Sequence, residues 1–361
     1  MSKKYFQDLV TTVVPDIKSS AKSSRYRSAN EIITVAWNNP ATRIAYSRTD
    51  GSIRTWKLAS CDLVSKQPVI IEDCHRKQVE SISWKPTSES TLASVGNDQN
   101  VKLWNTARGS LIKEIDTGVS NNIVVQYSGD GKFIATISRS NVVTIIDANA
   151  YTIVESLKLD EDIYSISWNN TSSFIFLGLA DGSIPMYRFD NGKLEHVLSL
   201  KGHRSSIKSL KVEARARYLV AGSNEGVISV WSLQTLAVVK IFADIDQPIA
   251  QIDVSREGTY ISATYEDGQS SRIYEIESEE CFHEIPKCVA GSQTFPNLQF
   301  CPIKTLFAYT SDDGDLYLTN KPGKSNLREM RDRDPRDSRD LRDRPRDSRA
   351  RADMRTRDRH F

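Results

Sequence analysis

No run of about 18 apolar residues occurs in the chain, so no membrane-crossing helix is expected. The opening MSKKYFQDLVTTVVPDIKSS lacks the continuous apolar core of a secretory leader. Cysteine is sparse. Cys61, Cys74, Cys281, Cys288 and Cys301 are scattered, odd in number and without a CxxC pair, which fits reduced thiols in an intracellular protein and not a disulfide framework. The five histidines are dispersed, with no metal-ligand spacing. GxSxG, GxxxxGK[ST] and HExxH are all missing. No enzyme, cofactor, metal site or small-molecule substrate is expected on these grounds.

Lysine is missing from one place in particular. Between Arg328 and Phe361 stand 13 Arg against 8 Asp and 1 Glu, a surplus of four cations in a chain whose total is +2. The first 327 residues are therefore slightly acidic, about −2. A segment this poor in apolar residues cannot build a core, and residues 321–361 are expected to be a disordered Arg/Asp-rich tail. Guanidinium groups stack on bases and pair bidentately with phosphate. Arg331, Arg333, Arg336, Arg339, Arg342, Arg344 and Arg346 are accordingly candidate RNA or RNP contacts. The interleaved aspartates make such contact weak and salt-dependent, and a merely solubilising polyampholyte is the alternative.

What the body does contain is repetition. SRTDGSIRTW (47–56) returns as VGNDQNVKLW (95–104), GLADGSIPMY (178–187) and GSNEGVISVW (222–231). A bulky or apolar residue closes a short strand at Trp37, Trp84, Tyr127, Trp168, Val212, Val254 and Phe300. A second closes a later strand at Trp56, Trp104, Ile146, Tyr187, Trp231, Ile273 and Thr319, always 19 or 20 residues on. Spacing between units varies more, as loops allow. Strands such as IYSISW (163–168) and RYLVAGS (217–223) flank Asp-Gly, Glu-Gly or Asn-containing turns, whose side chains accept turn amides and whose glycines take positive φ. Four strands per unit, seven times over, predict an all-β, seven-bladed β-propeller across residues 31–320. The seventh unit ends after its third strand, so residues 1–30 are expected to supply the closing strand, from Tyr5–Val14 or from around Ser24–Arg27. Pro185 inside a third strand predicts a bulge or weak pairing there.

The units resemble WD40 repeats. That family's blades carry a structural tetrad of His, Ser/Thr, Asp and Trp, and the second unit supplies His75, Ser94, Asp98 and Trp104 in order. The fifth keeps His203 and Trp231, with Ala221 and Glu225 at the other two places. On paper the set looks like a catalytic triad, but burial between blades and mutual satisfaction of polar atoms make a structural role the expectation. The resemblance implies partner contacts just before the turn acids, at Thr49, Asn97, Arg139, Ala180, Asn224, Glu266 and Asp312, a rim of no single sign.

Longer strings narrow the likeness. IAYSRTDGSIRTW, SWKPTS and NVVTIIDANAYTIVESLKLDEDIYSISWNNTSSFIFLG are similar to the small propeller subunits of THO/TREX transcription–export complexes. That resemblance implies a nuclear, non-enzymatic scaffold docked on large helical scaffold subunits, coupling transcription elongation to mRNP assembly and mRNA export. A substrate-receptor or signalling propeller, a ubiquitin-ligase adaptor or a G-protein-β-like protein, is the alternative.

Overall fold

The computed structural model describes residues 3–15, 31–59, 62–63, 65–291 and 295–321. They form seven antiparallel sheets arranged as the blades of a propeller. Blade 3 shows the plan: Asn122–Tyr127, Phe133–Ser138, Val142–Asp147 and Thr152–Lys158 pair in that order from the channel outward. The first strands meet one another round the ring, and Leu298–Phe300 of blade 7 packs against Ile32–Trp37 of blade 1, so the circle is closed.

Burial explains which residues sit where. Second strands are covered on both faces by neighbouring blades, and Tyr260–Tyr265 (YISATY) is buried at every position. Outer strands meet solvent, and Ser110–Asp116 buries Ile115 alone. Between blades lie fully enclosed Ile44, Ile53, Leu92, Leu103 and Ile134, each contributing about 1.5–3 kcal/mol by transfer from water. The same bulge recurs in the inner pair of blades 1, 3, 4, 5 and 6, for example between Asn122 and Val124. Repeated bulges add the twist that lets flat ladders pack radially.

Neighbouring inner strands splay too far apart for backbone pairing, and side chains bridge them. Ser83 Oγ accepts from the Tyr127 amide (3.0 Å), Ser167 Oγ from Val212 (2.9 Å) and Asp253 Oδ2 from Phe300 (2.8 Å). All three hold the position just before the bulky residue that closes the inner strand.

The outer strand of blade 7 is Val10–Val13, antiparallel to Leu316–Asn320 with Val10 opposite Asn320 and Val13 opposite Tyr317. This strand lies within Tyr5–Val14; Ser24–Arg27 falls outside the described residues. Ahead of it a single helical turn, Lys3–Gln7, sets Phe6 edge-on to Tyr260 (5.0 Å) and stacked on His283 (5.9 Å). Tyr5 donates its hydroxyl to the Thr305 carbonyl (3.0 Å), and Val14 is buried among blade 1 and blade 7 residues. The N-terminal stretch thus grips blades 6, 7 and 1 together.

Two local expectations change, and the weak pairing expected at Pro185 is found. Blade 1 breaks its outer strand in two, Asp62–Leu63 and Val69–Ile71, both on Ile53–Ala59. In blade 6 the residue opposite Ile261, where Trp231 stands opposite Leu219 in blade 5, is Tyr274 and not Ile273. Around Pro185, pairing with the second strand stops at Phe176–Met186, whereas blade 5 continues to Gly222–Ile228. The neighbouring bulge at Met186/Tyr187 owes nothing to proline, because blades 3, 5 and 6 have it too.

Candidate functional site

The His, Ser, Asp and Trp of blade 2 come together as one chain of hydrogen bonds. The indole Nε1 of Trp104 donates to Ser94 Oγ (2.8 Å), and Ser94 Oγ lies 2.8 Å from His75 Nε2. His75 Nδ1 stands 2.9 Å from Asp98 Oδ2. A carboxylate only accepts, so Nδ1 carries the proton and Nε2 receives the serine hydroxyl. Burial pushes the Asp98 carboxyl up, but the hydrogen bonds from His75 Nδ1 and the Asn100 amide prevail, holding it below its ordinary value. Gly96 makes room for this arrangement: a Cβ there would meet the Gln78 carbonyl at 2.5 Å and the His75 Cβ at 2.9 Å.

This geometry does not suit a nucleophile. Ser94 has no exposed surface, and its oxygen already serves the indole and the imidazole. The thiols of Cys74 and Cys288 are pushed up to about 12 by burial, so both stay protonated at neutral pH. Among the described residues no group of His, Cys, Asp and Glu is arranged to hold a metal.

Blade 5 corrects the reading that only His203 and Trp231 remain there. Ser229 supplies the missing hydroxyl: its Oγ accepts from Trp231 Nε1 (2.8 Å) and lies 2.6 Å from His203 Nε2. Ser229 is the cross-strand partner of Ala221, the residue at the expected serine position. The hydroxyl has moved across the ladder to the third strand, and the network survives. Sequence offset counted from the second strand missed it; a serine two residues before the tryptophan was the available signal. Glu225 replaces Asp less well, its Oε1 lying 3.4 Å from His203 Nδ1, too far for a good bond. Burial pushes His203 down against the opposing pull of Glu225.

Ser229→Ala is expected to cost about 2–6 kcal/mol, about 1–3 for each of the two buried partners left unsatisfied, Trp231 Nε1 and His203 Nε2. Adding Ala221→Ser should recover most of that loss in the denaturant midpoint, and an additive double variant would refute the relocation.

Blades 1 and 6 use phenols instead. Trp56 Nε1 points at Tyr46 OH (3.4 Å), and Tyr46 occupies the register position of Ser94. In blade 6 Tyr265 OH is 2.8 Å from Tyr274 OH, which donates to Asp244 Oδ1 (3.0 Å). Burial pushes Tyr265 up to about 12.

At the rim, several suggested contact residues are engaged within the chain. Asn97 donates to Glu80, and Arg139 Nη2 lies 3.6 Å from the same carboxylate. Glu266 pairs with Lys208 (3.4 Å), and Thr49 Oγ1 accepts from the Glu31 amide (3.0 Å). Asp312 donates its amide to the Lys287 carbonyl (2.8 Å), while Ala180 and Asn224 donate theirs to Asp162 and Ser206. The tail arginines Arg331, Arg333, Arg336, Arg339, Arg342, Arg344 and Arg346 lie outside the described residues.

Comparison with protein families matches the "WD domain, G-beta repeat" model at residues 66–105 and 194–232. The chain carries WD40 repeats. Those two segments contain the blade 2 and blade 5 networks, the two units with a histidine in place. THO complex subunit 3 of Arabidopsis thaliana is 23% identical over 283 residues, 78% of this chain and 87% of that protein. Protein TEX1 of Saccharomyces cerevisiae is 26% identical over 317 residues, 82% of this chain and 74% of the relative. The WD repeat-containing protein AAC3 of Dictyostelium discoideum reaches 29% over 243 residues, covering 62% of this chain and half of its own length. This WD40 propeller and its likeness to THO complex subunit 3 point to a non-enzymatic scaffold.

Proposed function

We propose that this WD40 scaffold is a nuclear subunit of a THO/TREX-like assembly that couples transcription elongation to mRNP assembly and mRNA export. The observation that carries the reading is the extent of the likeness: THO complex subunit 3 and TEX1 align over 78% and 82% of the chain, most of the ring and not one repeat. The propeller docks on large helical scaffold subunits, and the arginines between 331 and 346 reach RNA or neighbouring factors. Its surface supports docking. Outer strands carry exposed Leu111, Ile112, Ile153, Val197, Val239 and Ile241, apolar groups a partner can cover. No membrane role is proposed; no helix among the described residues is long and apolar enough to cross one.

The test is purification of the tagged full chain from nuclear extract with mass spectrometry of what accompanies it. Stoichiometric THO-type scaffold subunits are the expected result. Cullin-based ligase components or membrane-signalling proteins in their place would overturn the proposal.

A further inference from the structure

The channel opens into a cavity of about 1050 Å3 at the end formed by the turns between first and second strands. Its wall includes Gln126, Lys211, Gln251 and Asp253 of the inner strands. Lys211 Nζ sits 2.9 Å from Asp253 Oδ1, so that pair cancels. The side-chain oxygens of Gln126 and Gln251 are buried without a hydrogen-bond partner. On the lip stand two exposed cations, Arg215 from blade 5 and Arg256 from blade 6. Arg256 Nη1 lies 3.5 Å from the Pro302 carbonyl. Besides Asp253 the cavity is lined by one carboxylate, Glu89, from blade 2 on the far side of the ring.

The opposite mouth is of mixed sign: its turns carry acids such as Glu161, Asp267 and Asp313 but also Arg76, Lys77 and Arg204. An acidic ligand is drawn to the Arg215–Arg256 end, where two exposed guanidinium groups outnumber Glu89, the lining carboxylate not already paired with Lys211.

We propose that the Arg215–Arg256 mouth binds a short acidic polypeptide segment of a partner, with carboxylates on the two guanidinium groups and backbone amides on the two glutamines. The glutamine oxygens favour a ligand that brings N–H donors along the same stretch as its carboxylates, as a peptide does; an RNA brings its donors on ribose hydroxyls and base edges and not on its phosphates. A turn of the terminal amide, a soft torsion, presents each glutamine to the ligand. The inference goes beyond the docking role proposed above, naming one surface and the chemistry it takes.

The test uses the purified full chain alone, so its failure leaves the assembly reading standing. Fluorescence anisotropy follows a short labelled peptide rich in Asp and Glu, its Asn/Gln counterpart, and an oligouridylate. Each lost charge-assisted bond costs about 1.5 kcal/mol or more, so Arg215→Glu and Arg256→Glu should each weaken the acidic peptide at least about tenfold. Arg76→Glu, in an exposed loop at the other end of the channel, should leave binding unchanged. Both lip residues are exposed, so circular dichroism should confirm an intact fold in each variant. Absence of peptide binding, equal binding of the amide peptide, indifference to both lip reversals, or tighter binding of oligouridylate each overturns the proposal.

Discussion

A chain beginning at Glu31 is expected to lose the cooperative melting transition of the full chain or to melt far below it. Phe6 is 2% exposed and Val14 1% exposed, and both fill space between blades and not on the surface. Phe6→Ala alone should cost about 3–5 kcal/mol, the usual range for emptying a buried aromatic site. Truncation also removes the outer strand of blade 7 and strips the third strand, Leu316–Asn320, of its partner. Domains of ordinary stability have only about 5–15 kcal/mol in hand. The exposed edge would also offer a template for aggregation. Calorimetry checks the prediction; coincident transitions for the truncated and full chains would mean that the N-terminal segment merely rests on the ring.

The second large effect concerns Ser94. Replacing it by Ala leaves both the Trp104 indole N–H and His75 Nε2 without a buried partner. At about 1–3 kcal/mol for each orphan, the loss is about 2–6 kcal/mol. A structural network predicts more than a stability loss: Ser94→Ala in chain that remains folded should bind the same proteins as the unaltered chain. A variant of undiminished stability that lost a chemical activity would reverse the assignment and make Ser94 a nucleophile.

The ring was legible because its determinants are local and periodic. Trp37, Trp84 and Trp168 close inner strands, and Asp-Gly pairs such as Asp50–Gly51 and Asp181–Gly182 mark hairpins whose glycines take φ near +80°. The blade 2 network was legible too, since all four residues stand at the family spacing. The blade 5 network was not. Ala221 and Ser229 are eight residues apart in sequence yet opposite each other in the ladder, so an offset rule sees a loss where the sheet shows an exchange. The Tyr46–Trp56 and Tyr265–Tyr274–Asp244 substitutes escape for a different reason: Tyr46 stands at the serine's own register position and Tyr265 two residues beyond it, and a phenol is not the hydroxyl the motif names. The anchoring turn Lys3–Gln7 is too short for a helical period, and Phe6 reads as one more aromatic until Tyr260 and His283 surround it. The break in blade 1's outer strand depends on where Leu58 and Ile53 each find a partner.

The most direct measurement is partner retention by three forms of the tagged chain in one purification: unaltered, lacking residues 328–361, and carrying Phe6→Ala. If the intact ring is the docking unit of a THO-type assembly, the tail deletion keeps the scaffold subunits and loses RNA crosslinking, while Phe6→Ala loses the subunits in step with its lost stability. Scaffold subunits that vanish with the tail, or stay bound to a ring that melting shows to be open, would contradict it.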